Sequence, residues 1–182
     1  MLQLEIQLSP EGWDEIKEEF VDAKTQILQL EHSLVSLSKW ESKWCKPFLS
    51  TSDKTDEEIL DYIQYMTLTQ DVDPEVYSHL SRENFKQIDA YINAPMTATT
   101  FSDSKTNNKR SREIITAELI YYWMIALNIN WECQYWHLNR LLTLVRVCNI
   151  KNAPPQKRSK RDIASSYAAL NAARRKQMNT KG

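Results

Sequence analysis

Apolar and polar residues alternate over Met1–Leu8, with Leu2, Leu4, Ile6 and Leu8 on one side and Gln3, Glu5 and Gln7 on the other. Successive side chains of an extended backbone point to opposite faces, so this spacing predicts a half-buried strand. Ser9-Pro10-Glu11-Gly12 breaks it. The alternation returns over Thr25–Glu31, where Ile27 lies between glutamines and Leu28 and Leu30 fall on the opposite face, and a second strand is expected. Between the two, Asp14–Asp22 is mostly acidic, with Trp13, Ile16 and Phe20 as candidate anchors, and a long hairpin or an extended loop fits equally well.

From Ser33 onward the period lengthens to three and four. Leu34, Leu37, Trp40 and Trp44 predict a helix over Ser33–Trp44, capped by Ser33 and ended by Pro47. Ser50–Lys54 is a polar linker. Thr55, with Glu58 three residues on, forms a capping box ahead of a helix bearing Ile59, Tyr62, Ile63 and Met66. After a turn at Asp71–Pro74, Ser81–Glu83 opens a helix with Phe85, Ile88, Tyr91 and Ile92, which Pro95 stops. The stretch from Pro95 to Arg110 is irregular, and loops of that length in a compact domain are commonly functional or mobile.

Ser111–Ile150 is the most apolar part of the chain, yet it carries Arg112, Glu113, Glu118, Glu132, Arg140 and Arg146. Each charge costs roughly 2.5–3.5 kcal/mol inside a membrane, so the segment is expected to bury itself against protein instead. Two helices, Ser111–Asn128 and Trp131–Asn149, joined near Asn128-Ile129-Asn130, form an expected αα-hairpin. Pro154-Pro155 separates it from a last helix near Ser159–Met178. The expected fold is therefore α+β, mainly α. An N-terminal strand pair packs on a helical domain with a central αα-hairpin (residues 1–150), followed by a basic linker and C-terminal helix (151–182).

Composition sharpens this picture in two ways. Only Gly12 and Gly182 are glycine, which disfavours tight hairpins and phosphate-cradling loops. The net charge of −1 conceals a division: from Lys151 on, nine basic residues face Asp162 alone, giving +8 and leaving −9 for residues 1–150. The three cysteines, Cys45, Cys133 and Cys148, form no CxxC pair, and the N-terminus alternates in polarity where a signal peptide has an apolar run. A reduced, cytoplasmic setting is expected.

Candidate chemistry is thin. Cys133 and His137 are four apart on a predicted helix, but zinc needs three or four ligands and no second pair accompanies them. As nucleophile and base they lack an orienting group, so packing between helices is the preferred account. The acids Glu15, Glu18 and Glu19 fit a solvated face, and Asp56, Glu57 and Glu58 suit a helix first turn. No catalytic residue, metal or cofactor is expected. Aromatic and aliphatic residues surround the first hairpin helix, and a helix apolar all round is either central in a core or partly an interface. Ile120, Trp123, Leu127, Trp131, Trp136 and Leu141 are the expected buried anchors, some shared with a partner. In the tail, Ile163, Tyr167 and Leu170 make an apolar stripe beside Arg174 and Arg175. A basic helix docking on an acidic protein surface is favoured over one that tracks phosphates, for which a stripe has little use.

The runs HSLVSLSKWESKWCKPFL (His32–Leu49), INAPMTATTFS (Ile92–Ser102), REIITAELIYYWMIALNINWECQYWHLNRLLTLVRVCNIKNAPP (Arg112–Pro155) and the final ALNAARRKQMNTKG resemble a family of small tailed-phage proteins associated with tail assembly chaperones. The resemblance covers most of the chain. It implies a helper in the host cytoplasm that binds the tape-measure protein and recruits tail-tube subunits, with self-association and without a cofactor. Such chaperones are often encoded so that ribosomal slippage near the end gives a longer form, and the Lys181-Gly182 ending would suit a slippery lysine codon. Two other classes fit the residues: a structural virion component such as a neck, connector or baseplate subunit, and a nucleic-acid-binding module using the basic tail.

Overall fold

The computed structural model describes residues 1–9, 12–14, 19–21, 24–51, 53–101, 113–154 and 160–179, with only the backbone of 12–14, 19–21, 160 and 162. The chain divides into two compact units, Met1–Asn149 and Ile150–Gly182. It is mainly helical with an N-terminal antiparallel strand pair.

In the first unit, β1 (Leu2–Ser9) is followed by β2 (Gly12–Asp14), β3 (Glu19–Val21) and β4 (Lys24–Leu30). The expected strand pair is β1 and β4, which pair antiparallel with Leu4 opposite Leu28 and Leu2 opposite Leu30. Leu4, Ile6, Leu28 and Leu30 are buried and Ile27 faces water. β2 and β3 form a second small hairpin, which decides between the two readings of this segment. The side chains of the expected anchors Trp13, Ile16 and Phe20 lie outside the described residues. Beyond α2 the backbone continues along the edge of β4, where Glu31 N–H donates to the Met66 carbonyl at 2.9 Å and Leu68 N–H to that of Gln29 at 2.7 Å.

α1 (Leu34–Trp44) starts where predicted, with Ser33 Oγ accepting the Ser36 N–H. It ends on Cys45 in the left-handed region (φ 51°), and Pro47 follows. α2 (Asp56–Met66) begins on the predicted cap Thr55, and α3 (Arg82–Asn93) begins where Ser81–Glu83 was expected to open a helix, with Ser81 as its N-cap; a 3₁₀ turn (Pro74–His79) lies between them. α1 occupies the centre of the core. Its Leu34, Leu37 and Trp40 are fully buried among side chains from the sheet, α2 and α4 (Ala117–Ala126). Trp40 Nε1–H donates to the Glu58 carbonyl at 2.8 Å, fixing α1 against the start of α2.

The segment after residue 111 departs from the predicted helices. Ser111 and Arg112 lie outside the described residues, Glu113–Thr116 carries no helix, and α4 begins at Ala117. Two bonds mark its start: Thr116 Oγ1 accepts the Leu119 N–H at 3.5 Å as the N-cap, and the Ala117 N–H donates at 2.7 Å to Oε2 of Glu41, a buried residue in the last turn of α1. Oε1 of the same carboxylate accepts the Phe48 N–H at 2.8 Å. The helix expected over Trp131–Asn149 is also divided, into a 3₁₀ turn (Trp131–Tyr135) and α5 (Leu138–Asn152). Apolar spacings of three and four suit either helix type. Between them His137 leaves the helical path to bridge Ser33, and the Leu138 N–H donates to the His32 carbonyl at 2.7 Å. Among the described residues no buried side-chain nitrogen or oxygen lacks a hydrogen-bond partner.

In the second unit α6 (Lys160–Met178) follows the predicted last helix, apart from Ser159, which lies outside the described residues. No described helix is long and apolar enough to cross a membrane.

Glu41→Gln offers a direct test of the long-range bond. The amide keeps one acceptor and turns an NH₂ toward the second N–H, so a charged hydrogen bond is lost and a donor is left facing a donor. Urea unfolding should show a loss of about 2–3 kcal/mol.

Candidate functional site

Among the described residues, the polar groups singled out by sequence make packing and capping contacts. Cys133 belongs to the 3₁₀ turn and His137 lies beyond it, so the two do not share a helix face. Burial pushes the Cys133 thiol above its ordinary pKa, which leaves it a poor nucleophile. His137 Nδ1 lies 3.3 Å from the Asn139 N–H, which donates to it, so the ring proton sits on Nε2 and donates to the Tyr91 carbonyl at 3.0 Å. Asn139 Nδ2 donates to the carbonyls of Ile92 (2.9 Å) and Ala94 (2.8 Å). Together they satisfy carbonyls at the end of α3 that the helix itself leaves bare.

His32 packs edge-on against His137 (centroids 5.1 Å apart), and its Nδ1 is 2.6 Å from the Tyr62 hydroxyl. Burial, reinforced by the charge His137 can carry, pushes the His32 pKa down to about 3. Burial also lowers that of His137. Tyr91 Oη donates to Glu31 Oε1 at 2.7 Å, and burial raises its pKa. Glu58 closes its capping box on Thr55 and meets Lys46 Nζ at 2.5 Å, which holds its carboxyl below the usual range. Glu15 and Glu18, and the side chain of Glu19, lie outside the described residues. No described group of three or more His, Cys, Asp or Glu is arranged to hold a metal ion.

Part of the exposed surface is apolar. α4 turns Ala117, Ile120 and Met124 into the core. Glu118, Tyr122 and Ile125, spaced by four and three, look outward, with Tyr122 63% and Ile125 70% exposed. On its shoulder Tyr121 stacks on Trp131 (centroids 5.1 Å, planes 26° apart) and its hydroxyl donates to Gln134 Oε1 at 3.2 Å. Trp131 and Tyr135 are themselves exposed. Tyr122, Ile125, Trp131 and Tyr135 thus form an aromatic face organised around Tyr121.

The predicted anchors divide accordingly. Ile120 and Leu141 are fully buried and belong to the core. Trp123 and Trp136 are half-buried against it, and the Arg140 guanidinium lies 4.0 Å over the Trp136 ring. Leu127 is half-buried, and Trp131 is on the face. In the second unit Ile163, Tyr167 and Leu170 are exposed as a stripe along α6, and Arg174 and Arg175 are exposed near its C-terminus. Basic residues there complement the helix dipole. Tyr122, Ile125 and Tyr135 were not among the anchors expected from sequence. Their signal was Glu118, the polar residue of α4 that marks its outward side.

No protein-family model, curated protein or solved structure matches this chain.

The paired histidines make stability depend on pH. Both are held neutral in the fold, whereas the unfolded chain takes up protons near the ordinary value of 6.5. Their contribution is complete above that pH and is lost as pH falls below it, for His32 down to about 3. The slope is at most about 1.4 kcal/mol per pH unit for each histidine. Urea midpoints measured between pH 7 and 4 should fall less steeply for His32→Gln than for the unmodified protein.

Proposed function

We propose that this chain is a tail assembly chaperone of a tailed phage. It holds an apolar helical stretch of the tape-measure protein against the aromatic face of α4 and the 3₁₀ turn, and recruits tail-tube subunits to it. The observation that carries this reading is the exposure of Tyr122, Ile125, Trp131 and Tyr135 as one apolar face on a body with a closed core. Large exposed aromatic surfaces mark sites of association, because removing them from water supplies the binding energy. An elongated helical partner presents apolar residues at i, i+3, i+4 and i+7, which a rigid row of rings can receive. The resemblance of His32–Leu49 and Arg112–Pro155 to phage tail chaperones favours the tape measure as that partner. The host cytoplasm is the corresponding place of action.

Co-expression with the tape-measure protein of the same phage tests this. The unmodified chain should keep the tape measure soluble and co-purify with it. Tyr122→Ser with Ile125→Ser should leave the urea midpoint nearly unchanged, since surface substitutions usually fall within about 0.5 kcal/mol. It should weaken capture at least about 10-fold, through loss of apolar contact area. Retention of this chain in purified virions would instead identify a structural component.

A further inference from the structure

Two further apolar surfaces of this chain match each other. The first is a groove between α2 and α3. It consists of two adjoining hollows of about 490 and 430 Å³ that share Ile59 and Phe85 as walls. Ile63, Ile88 and Ile92 floor one hollow, and Leu60, Tyr77 and Leu80 line the other. Ile59 is 36% exposed, so the groove opens to water. Its charged margin is mainly acidic: Asp56 and Asp89 line it, and Glu57 follows Asp56 in the first turn of α2. The one lysine in the lining, Lys54, is already engaged. Its Nζ donates to the Thr51 carbonyl at 2.6 Å and lies 4.3 Å over the Phe48 ring.

The second surface is the stripe on α6. Ile163, Tyr167 and Leu170 are 40%, 64% and 47% exposed, and a shallow apolar hollow lies among them. Arg161 precedes them, and Arg174, Arg175 and Lys176 follow. Positions i, i+4 and i+7 of one helix are the anchors that helix-in-groove recognition uses. The lengths agree: Ile163 to Leu170 is seven residue steps, and so is the α2 wall from Asp56 to Ile63. At 1.5 Å per residue each is about 10 Å long. The charges agree as well, since residues 1–150 carry −9 and the remainder +8.

We infer that α6 of one copy of this chain docks in the α2–α3 groove of a second copy, with Ile163, Tyr167 and Leu170 as anchors and the flanking arginines set against the acidic margin. The apolar anchors supply most of the affinity, because exposed ion pairs contribute only about 0–1 kcal/mol each. The charges fix which way the helix lies. If two copies exchange α6 the assembly closes as a dimer, and if each passes its helix onward it grows head to tail. This contact uses neither Tyr122 nor Ile125, and it stands or falls separately from tape-measure binding.

The test is sedimentation of the full chain and of two full-length variants, Tyr167→Asp on α6 and Ile59→Asp at the groove. Unmodified protein should associate as its concentration rises. Each variant alone should self-associate at least about 10-fold more weakly, the expected consequence of placing a carboxylate in an apolar contact. Thermal unfolding checks that Ile59→Asp remains folded, and Phe85→Ser replaces it if not. An equimolar mixture of the α6 and groove variants should recover association, because one copy keeps an intact groove and the other an intact α6. Tyr122→Ser with Ile125→Ser should associate normally. A monomeric unmodified chain, a groove variant that associates as well as the unmodified protein, or a mixture that stays monomeric would each overturn the inference. So would a Tyr167→Asp variant that loses only binding to duplex DNA.

Discussion

Glu41 is an acid placed inside the protein to finish other elements' backbones. It is 7% exposed, it projects from the last turn of α1, and its two oxygens accept N–H groups from Phe48 and Ala117. A carboxylate in that setting is stable only while its acceptors are filled. The Ala117 N–H is one of the donors that the first turn of α4 cannot satisfy within itself. Glu41 and the N-cap Thr116, whose Oγ1 accepts the Leu119 N–H at 3.5 Å, together fill the bare donors at the start of α4. From Ala117 on, Ile120 and Met124 enter the core while Tyr122 and Ile125 turn to water. The helix that carries the aromatic face is thus tied at its first turn to a carboxylate on α1.

The local parts of the fold were readable from sequence, because the forces that make them act over a few residues. Alternation identified β1 and β4 together with their buried sides, and Ser33, Thr55 and Ser81 announced three helix starts by side chains that accept their own N3 amides. The errors fall where a distant group decides. Ile114 and Ile115 read as helical, but the acceptor that starts α4 is 76 residues earlier in the chain. Trp131–Asn149 read as one helix, but His137 is drawn out of it by Ser33.

The candidate surfaces show the same limit. The stripe of α6 was visible because Ile163, Tyr167 and Leu170 stand among small and polar residues. The face of α4 was marked only by Glu118, since aromatic and aliphatic residues fill most of the rest of that helix. The groove was beyond reach altogether: its walls come from Phe48, α2, the 3₁₀ turn and α3, which only the folded chain brings together. His32 and His137 likewise meet only in the fold, where their contact ties the end of α3 to the start of α5.

The Ser33–His137 bridge and the His32–Leu138 hydrogen bond have a consequence for the order in which the molecule is built. They close a loop of about a hundred residues, and contacts that span such loops form only after the entropy of closing them has been met. A ribosome releases the chain from its N-terminus, so the sheet, α1, α2 and α3 emerge while the helices that cover them are still unmade. The core they share is completed only when Ala117, Ile120, Met124, Leu138 and Leu141 arrive. The nascent chain thus passes through a long interval in which it resembles the kind of exposed, apolar client it is proposed to protect.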